Sequence, residues 1–173
     1  QGKRNPWEAS EDDLCALLGS QKTQKAADTF LLESFGGLSP LLCRELAFRV
    51  FGQVDFDLAS MPDEEKRQAA ERLFAELQAL HTGEKMPTVL LREKKPWDFT
   101  CVPIRQYEGL VSQETVPSFS ALLDGFYAKR DLLERTRQKT QTLRKTLTNL
   151  HSRTARKLQN QKKELEATFD REH

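Results

Sequence analysis

The sequence predicts a mostly α protein: a small helical helix-hairpin-helix domain, a β-hairpin, then one long coiled-coil helix. Three observations predict it. Apolar residues recur at helical spacing in short runs over 10–84, switch to a period of two over 88–104, and thin to a single leucine stripe on a proline-free polar stretch from Phe119 onward. The segments that follow are a linker (1–9), the helix-hairpin-helix α-domain (10–84), a β-hairpin segment (85–117) and a basic coiled-coil arm (118–173).

"SEDD" at 10–13 is a capping box. Ser10 can bond the first-turn amides and Asp13 can reach back, opening a helix through Leu14, Leu17 and Leu18 that stops at Gly19 and Ser20. A second helix is expected over about 22–35, with Ala26, Ala27, Phe30, Leu31 and Phe35 on one stripe. After the Gly36-Gly37 break, Ser39 can cap and Pro40 takes the first position of a third helix through Leu42, Leu46, Ala47, Val50 and Phe51. A fourth starts near Pro62 and Asp63, buries Ala70, Leu73, Phe74, Leu77 and Leu80, and stops at Gly83.

In "TVLLREKKPWDFTCVPI", Trp97, Phe99 and Cys101 fall on one face and Asp98, Thr100 and Val102 on the other, with "EKKP" as the turn. A lone hairpin is marginal in water. It is expected to dock on the α-domain or to extend a sheet formed by upstream residues. The last helix, capped by Ser118 or Ser120, would be ~80 Å long at ~1.5 Å per residue. Its stripe is Leu122, Phe126, Leu133, Leu143, Leu147, Leu150, Leu158 and Leu165. Thr136, Thr140, Thr154 and Gln161 interrupt that stripe, which predicts a weak coiled-coil seam.

The chain has 173 residues and a net charge of +1. It opens at Gln1 and closes inside a helical pattern, so it is expected to be an internal piece of a longer protein. No stretch has the ~18–20 apolar residues of a membrane span. Cys15, Cys43 and Cys101 are odd in number, lack C-x-x-C spacing and sit among apolar residues, which suits reduced core thiols of a cytoplasmic protein. His81, His151 and His173 show no ligand or triad spacing. No metal, cofactor or catalytic group is implied, and the chain is not expected to be an enzyme.

The net charge hides an asymmetry: residues 1–134 hold 16 Lys and Arg against 22 Asp and Glu, whereas 135–173 hold 11 against 4. Two candidate nucleic-acid contacts follow. At the glycine break, backbone amides and the helix dipole favour an anion, so Gly36, Gly37, Ser39 and Arg44 are candidates for nucleic-acid backbone, with Arg49 able to add charge; a purely structural αα-corner is the other reading of this break. In the arm, Arg135, Arg137, Lys139, Arg144, Lys145, Arg153, Arg156, Lys157, Lys162 and Lys163 fall in a stretch without one acidic residue. A solvated helix normally mixes signs for i,i+4 pairing. At helical rise the run is ~43 Å long, suited to following a polyanion's backbone. No aromatic lies between Tyr127 and Phe169, which favours shape and charge recognition of folded RNA over base stacking. Pairing with an acidic helix, or simple solvation, are the other readings of this run.

Together "GKRNPW", "FLLESFGGLSPLLCREL", "PWDFTCVPIRQYEG" and, most densely, "SFSALLDGFYAKRDLLERTRQKTQTLRK" with "RKLQNQKKELE" resemble the NFACT family, also called the fibronectin-binding protein A-like proteins. The resemblance implies the end of the amino-terminal module with its helix-hairpin-helix, plus the first strand of the middle coiled coil. The partner strand would come from the same full-length chain. The family's ribosome quality control members bind the large ribosomal subunit with stalled peptidyl-tRNA and recruit tRNA for carboxyl-terminal tailing of the nascent chain, with alanine in bacteria. On that resemblance the Gly36–Arg44 residues become tRNA-backbone candidates and the ten arm cations rRNA candidates. Two rival readings stand beside it. The family name implies a fibronectin-binding adhesin, which requires export, and a helix-hairpin-helix beside a β segment also resembles DNA-binding repair proteins, which have no use for a long arm.

Overall fold

The computed structural model describes residues 2–169, with the Phe169 side chain excepted; the ends of the expected linker and arm, Gln1 and 170–173, lie outside the described residues. The chain divides into two units, Gln1–Phe126 and Tyr127–His173.

Helix α1 (Glu11–Gly19) opens on the expected capping box: the Asp13 amide donates to Ser10 Oγ at 3.2 Å and the Ser10 amide to Asp13 Oδ2 at 3.0 Å. Helix α2 (Ala27–Ser34) is shorter than expected. Residues 25–28 are engaged elsewhere, because Ala27 and Asp28 donate their amides to Phe56 and Val54 while Lys25 accepts from Leu58. Tertiary pairing with the 54–58 loop overrides the helical pattern there. Helix α3 (Pro40–Phe51) and helix α4 (Asp63–Thr82) begin and end as expected, α3 closing on Gly52 at φ 80°. A 3-10 turn (Leu58–Ser60) lies between them.

Apolar stripes of all four helices meet in one core: Leu14 and Leu18 from α1, Phe30 and Leu31 from α2, Leu46 and Val50 from α3, Leu73 and Leu77 from α4. Burying such a side chain contributes roughly 1.5–3 kcal/mol, so these stripes fix the helix arrangement. Residues 4–9 are tied to it. Arg4 forms a parallel bridge with Phe35, accepts the Gly36 amide at 2.9 Å, and is followed by a buried Pro6 and a half-buried Trp7 stacked on His81 at 5.0 Å.

The expected hairpin is present as β1 (Thr88–Arg92) and β2 (Lys95–Thr100), but a third strand, β3 (Ser112–Thr115), pairs with β1. Among the described residues the antiparallel sheet therefore has three strands in the order β2-β1-β3. "SQET" carries no apolar alternation because it is an exposed outer strand, which is why its sequence reads as loop. Glu93 and Lys94 turn the hairpin at φ 51° and 62°, the two positive values a type I′ turn needs. Of the two faces, Thr100 and Val102 are buried, while Trp97 is exposed and Phe99 and Cys101 are half-buried.

Helix α5 (Phe119–Phe169) starts on Ser118, whose Oγ accepts the Ala121 amide at 3.1 Å. Leu122 and Phe126 are buried in the first unit, Phe126 meeting Phe99 edge-on at 5.1 Å. From Tyr127 to Thr168 every described residue is exposed. None of the described helices is long and apolar enough to cross a membrane.

Candidate nucleic-acid interface

The glycine break is built as a tight turn between α2 and α3. Gly37 takes φ 78°, a left-handed value natural to glycine, and a Cβ there would meet nothing within 4 Å. Ser39 then caps α3: its Oγ accepts the Leu42 amide at 3.2 Å and its carbonyl the Cys43 amide at 2.9 Å. Pro40 has no amide proton. Much of the anion-binding capacity anticipated at this helix start is thus taken up internally, and the Gly36 amide is held by Arg4. Of the four candidates, Gly36 is half-buried, whereas Gly37, Ser39 and Arg44 are exposed, Ser39 with its hydroxyl committed to the cap.

Arg44 lies about one turn into α3, 3.8 Å from Asp28 and donating to the Tyr107 hydroxyl at 3.4 Å. The Tyr107 bond, helped by the charges of Asp28 and Asp98, holds its guanidinium proton more tightly than usual. Arg44 and Ser39 are among the residues that line a cleft of about 360 Å³, together with Leu41, Leu42, Phe99, Cys101 and Phe119.

Arg49 is not available to a ligand, contrary to the expectation that it could add charge. Its side chain is largely buried, with Nε 2.6 Å from Glu45, Nη1 3.0 Å from Glu76 and Nη2 donating to the Pro103 carbonyl at 2.7 Å. Burial works against its charge, and the hydrogen bonds to the two glutamates more than offset that. Glu45, 2% exposed, also receives the Arg105 and Gln106 amides. Sequence reasoning missed this pair: a Glu at 45 and an Arg at 49 look like an ordinary i,i+4 surface pair, and only the loop folded over them makes them structural.

In the second unit all ten arm cations are exposed, and none forms an ion pair among the described residues. At ~100° per residue the leucines occupy a sector of roughly 100°, and the cations are spread around the rest of the circumference. Lys145, Arg156 and Lys163 fall opposite the leucines, while Lys139 and Lys157 flank them. The four residues expected to interrupt the stripe lie on it. From Leu133 through Thr136, Thr140, Leu143, Leu147, Leu150, Thr154, Leu158, Gln161, Leu165 and Thr168 the steps alternate three and four, save two successive fours at Leu150–Thr154–Leu158. Each stripe threonine bonds its hydroxyl to the carbonyl four residues back, as Thr136 does to Leu132 and Thr154 to Leu150, both at 2.9 Å. The stripe threonine hydroxyls are thus satisfied within the helix.

Among the described residues no group of three or more His, Cys, Asp or Glu is placed to hold a metal ion. Cys43 is buried, and Cys15 and Cys101 are half-buried, all three with free thiols, as expected of core cysteines. The arrangement offers cationic and hydrogen-bonding contacts to a polyanion.

Comparison with known proteins agrees with the motifs. Over residues 1–173 the chain matches the family model of the NFACT N-terminal and middle domains. It is 30% identical over 166 residues to the Rqc2 homolog RqcH of Bacillus subtilis (strain 168), an alignment covering 96% of this chain and 26% of that protein. The chain therefore spans about a quarter of that relative's length. With the family model matched from the first residue to the last, the chain belongs to the NFACT family.

Proposed function

We propose that this chain is the RNA-gripping part of a cytoplasmic ribosome quality control factor, which binds the large ribosomal subunit carrying a stalled peptidyl-tRNA and recruits tRNA for alanine tailing of the nascent chain. The observation that carries the reading is the arm: ten exposed cations within a stretch, 135–163, that holds no acidic residue, none of them in an ion pair among the described residues, in a chain similar to RqcH. Such a run accepts self-repulsion along the helix, and rRNA backbone compensates it. The leucine stripe takes a return strand from the same full-length chain, which leaves the opposite cations facing the ribosome. Gly37 and Arg44 supply tRNA-backbone contacts. The chain contributes binding and positioning and no catalytic group.

The test is sedimentation of the full-length protein from cell lysates on sucrose gradients, with and without Arg144→Glu, Lys145→Glu, Arg156→Glu and Lys157→Glu. The unaltered protein is expected to travel with large subunits and tRNA, and the variant to stay at the top. An unaltered protein that remains at the top at low salt overturns the reading.

A further inference from the structure

Trp97 stands where the register between β1 and β2 shifts. Leu90 is opposite Asp98 and Leu91 opposite Pro96, so Trp97 is the extra residue, without a cross-strand partner. Bulges of this kind re-aim a side chain. Trp97 is 36% exposed, on the outer strand of the sheet that the described residues form. Its support is lateral: Tyr107 meets it edge-on, with ring centres 5.0 Å apart and planes at 84°, and the Tyr107 hydroxyl accepts from Arg44. Tyr107 is in turn held by the loop whose Arg105 and Gln106 amides end on the buried Glu45. A rigid mount thus presents an aromatic side chain to solvent.

The adjoining hairpin tip carries two further departures from what stability alone favours. Arg92 and Lys95 are register partners, a like-charge pair directly across the strands. Between them Glu93 and Lys94 hold left-handed backbone angles that Asn and Gly adopt with less strain. Among the described residues Arg92, Lys94 and Lys95 make no ion pair. Packing of the core accounts for none of this.

We infer that Trp97 is a stacking platform for an unpaired nucleobase of an RNA strand whose phosphates lie along Arg92, Lys94 and Lys95. An indole face accepts any base, and cations beside it track the backbone. The inference rests on the RNA-binding reading above and adds a contact separate from the arm, one suited to a loop or single strand where the arm suits folded RNA. An acidic peptide would use the cations and leave the indole idle.

The chain holds two tryptophans, so Trp7→Phe leaves Trp97 as the sole indole. In that background, with the four arm reversals also present, Trp97 emission is titrated with a ten-nucleotide single-stranded RNA, a blunt RNA duplex of equal charge, and a decaglutamate peptide. Quenching by the single strand alone is expected. Replacing Arg92, Lys94 and Lys95 with Glu should raise the midpoint at least ~10-fold, and Trp97→Ala should weaken binding of a labelled single strand by roughly 10-fold while Trp97→Phe retains most of it. Unchanged emission with the single strand, or equal quenching by duplex or peptide, overturns the inference. Arm-dependent binding of subunits with a silent Trp97 would sink this site and leave the proposed function standing. Quenching that persists while arm reversal leaves subunit binding intact would do the opposite.

Discussion

Glu45 accepts the backbone amide of Arg105 with both oxygens of its carboxylate, each at 3.0 Å. The same carboxylate takes the Gln106 amide at 3.1 Å and Arg49 Nε at 2.6 Å. One buried side chain on α3 therefore anchors the loop that leads from β2 toward β3, and with it Tyr107.

Replacing Glu45 with Ala removes the acceptor for two backbone amides and leaves Arg49 buried beside Glu76 alone. Breaking a buried, hydrogen-bonded charge pair from one side costs about 3–5 kcal/mol. We expect Glu45→Ala to lose about that much in urea unfolding followed by circular dichroism, with Glu45→Gln between it and the unaltered chain. A loss below about 1 kcal/mol would mean that the loop is held by other contacts.

Cys43 is 1% exposed, and burial, with Asp28 nearby, pushes its thiol up to about 11 from an ordinary 9.0. The folded state thus holds this proton more tightly than the unfolded chain does. The associated stability is fully present below pH 9 and is lost as pH rises toward 11. Two pKa units mean about 100-fold less thiolate near pH 8. Iodoacetamide labelling read by mass spectrometry at pH 8 should modify Cys15 and Cys101 well before Cys43, and comparable rates would show that α3 opens readily.

The helices were legible where local chemistry and tertiary packing agree. Ser10 with Asp13, Ser39 with Pro40, and the α4 stripe each specify an end or a face that the core then uses. Legibility failed where long-range backbone pairing decides. Residues 25–28 fall within a helical pattern yet pair with 54–58, and Ser112–Thr115 have no pattern yet complete the sheet. At the candidate site the charged run of the arm could be read directly, since exposure is the default for Lys and Arg. The burial of Arg49 and the bulge at Trp97 depend on the 101–111 loop and on sheet register, neither of which leaves a mark on single-residue spacing.

At the glycine turn two effects should separate. Gly37→Val forces a β-branched residue to φ 78° with open space around it, so its stability loss is conformational, about 1–2 kcal/mol. The tRNA reading adds a loss of tRNA binding, measured by filter retention at a temperature where both proteins are folded, with large-subunit binding retained. Unchanged tRNA affinity would leave the turn with its packing role alone, that of holding Arg4 against Phe35.

The arm's geometry predicts which cations matter. If a return strand covers the leucine stripe, Lys139 and Lys157 lie beside that strand, and Lys145, Arg156 and Lys163 face away from it. Each phosphate contact contributes roughly 0.7–0.9 to the slope of log K against log salt. Alanine at 145, 156 and 163 in the full-length protein should therefore flatten the salt dependence of large-subunit binding by about 2–3 units, and alanine at 139 and 157 by less than one. Helicity should stay unchanged, because no arm cation makes an ion pair among the described residues. Equal effects from the two sets would mean that RNA wraps the helix with the leucines uncovered, and that the stripe serves some purpose other than strand pairing.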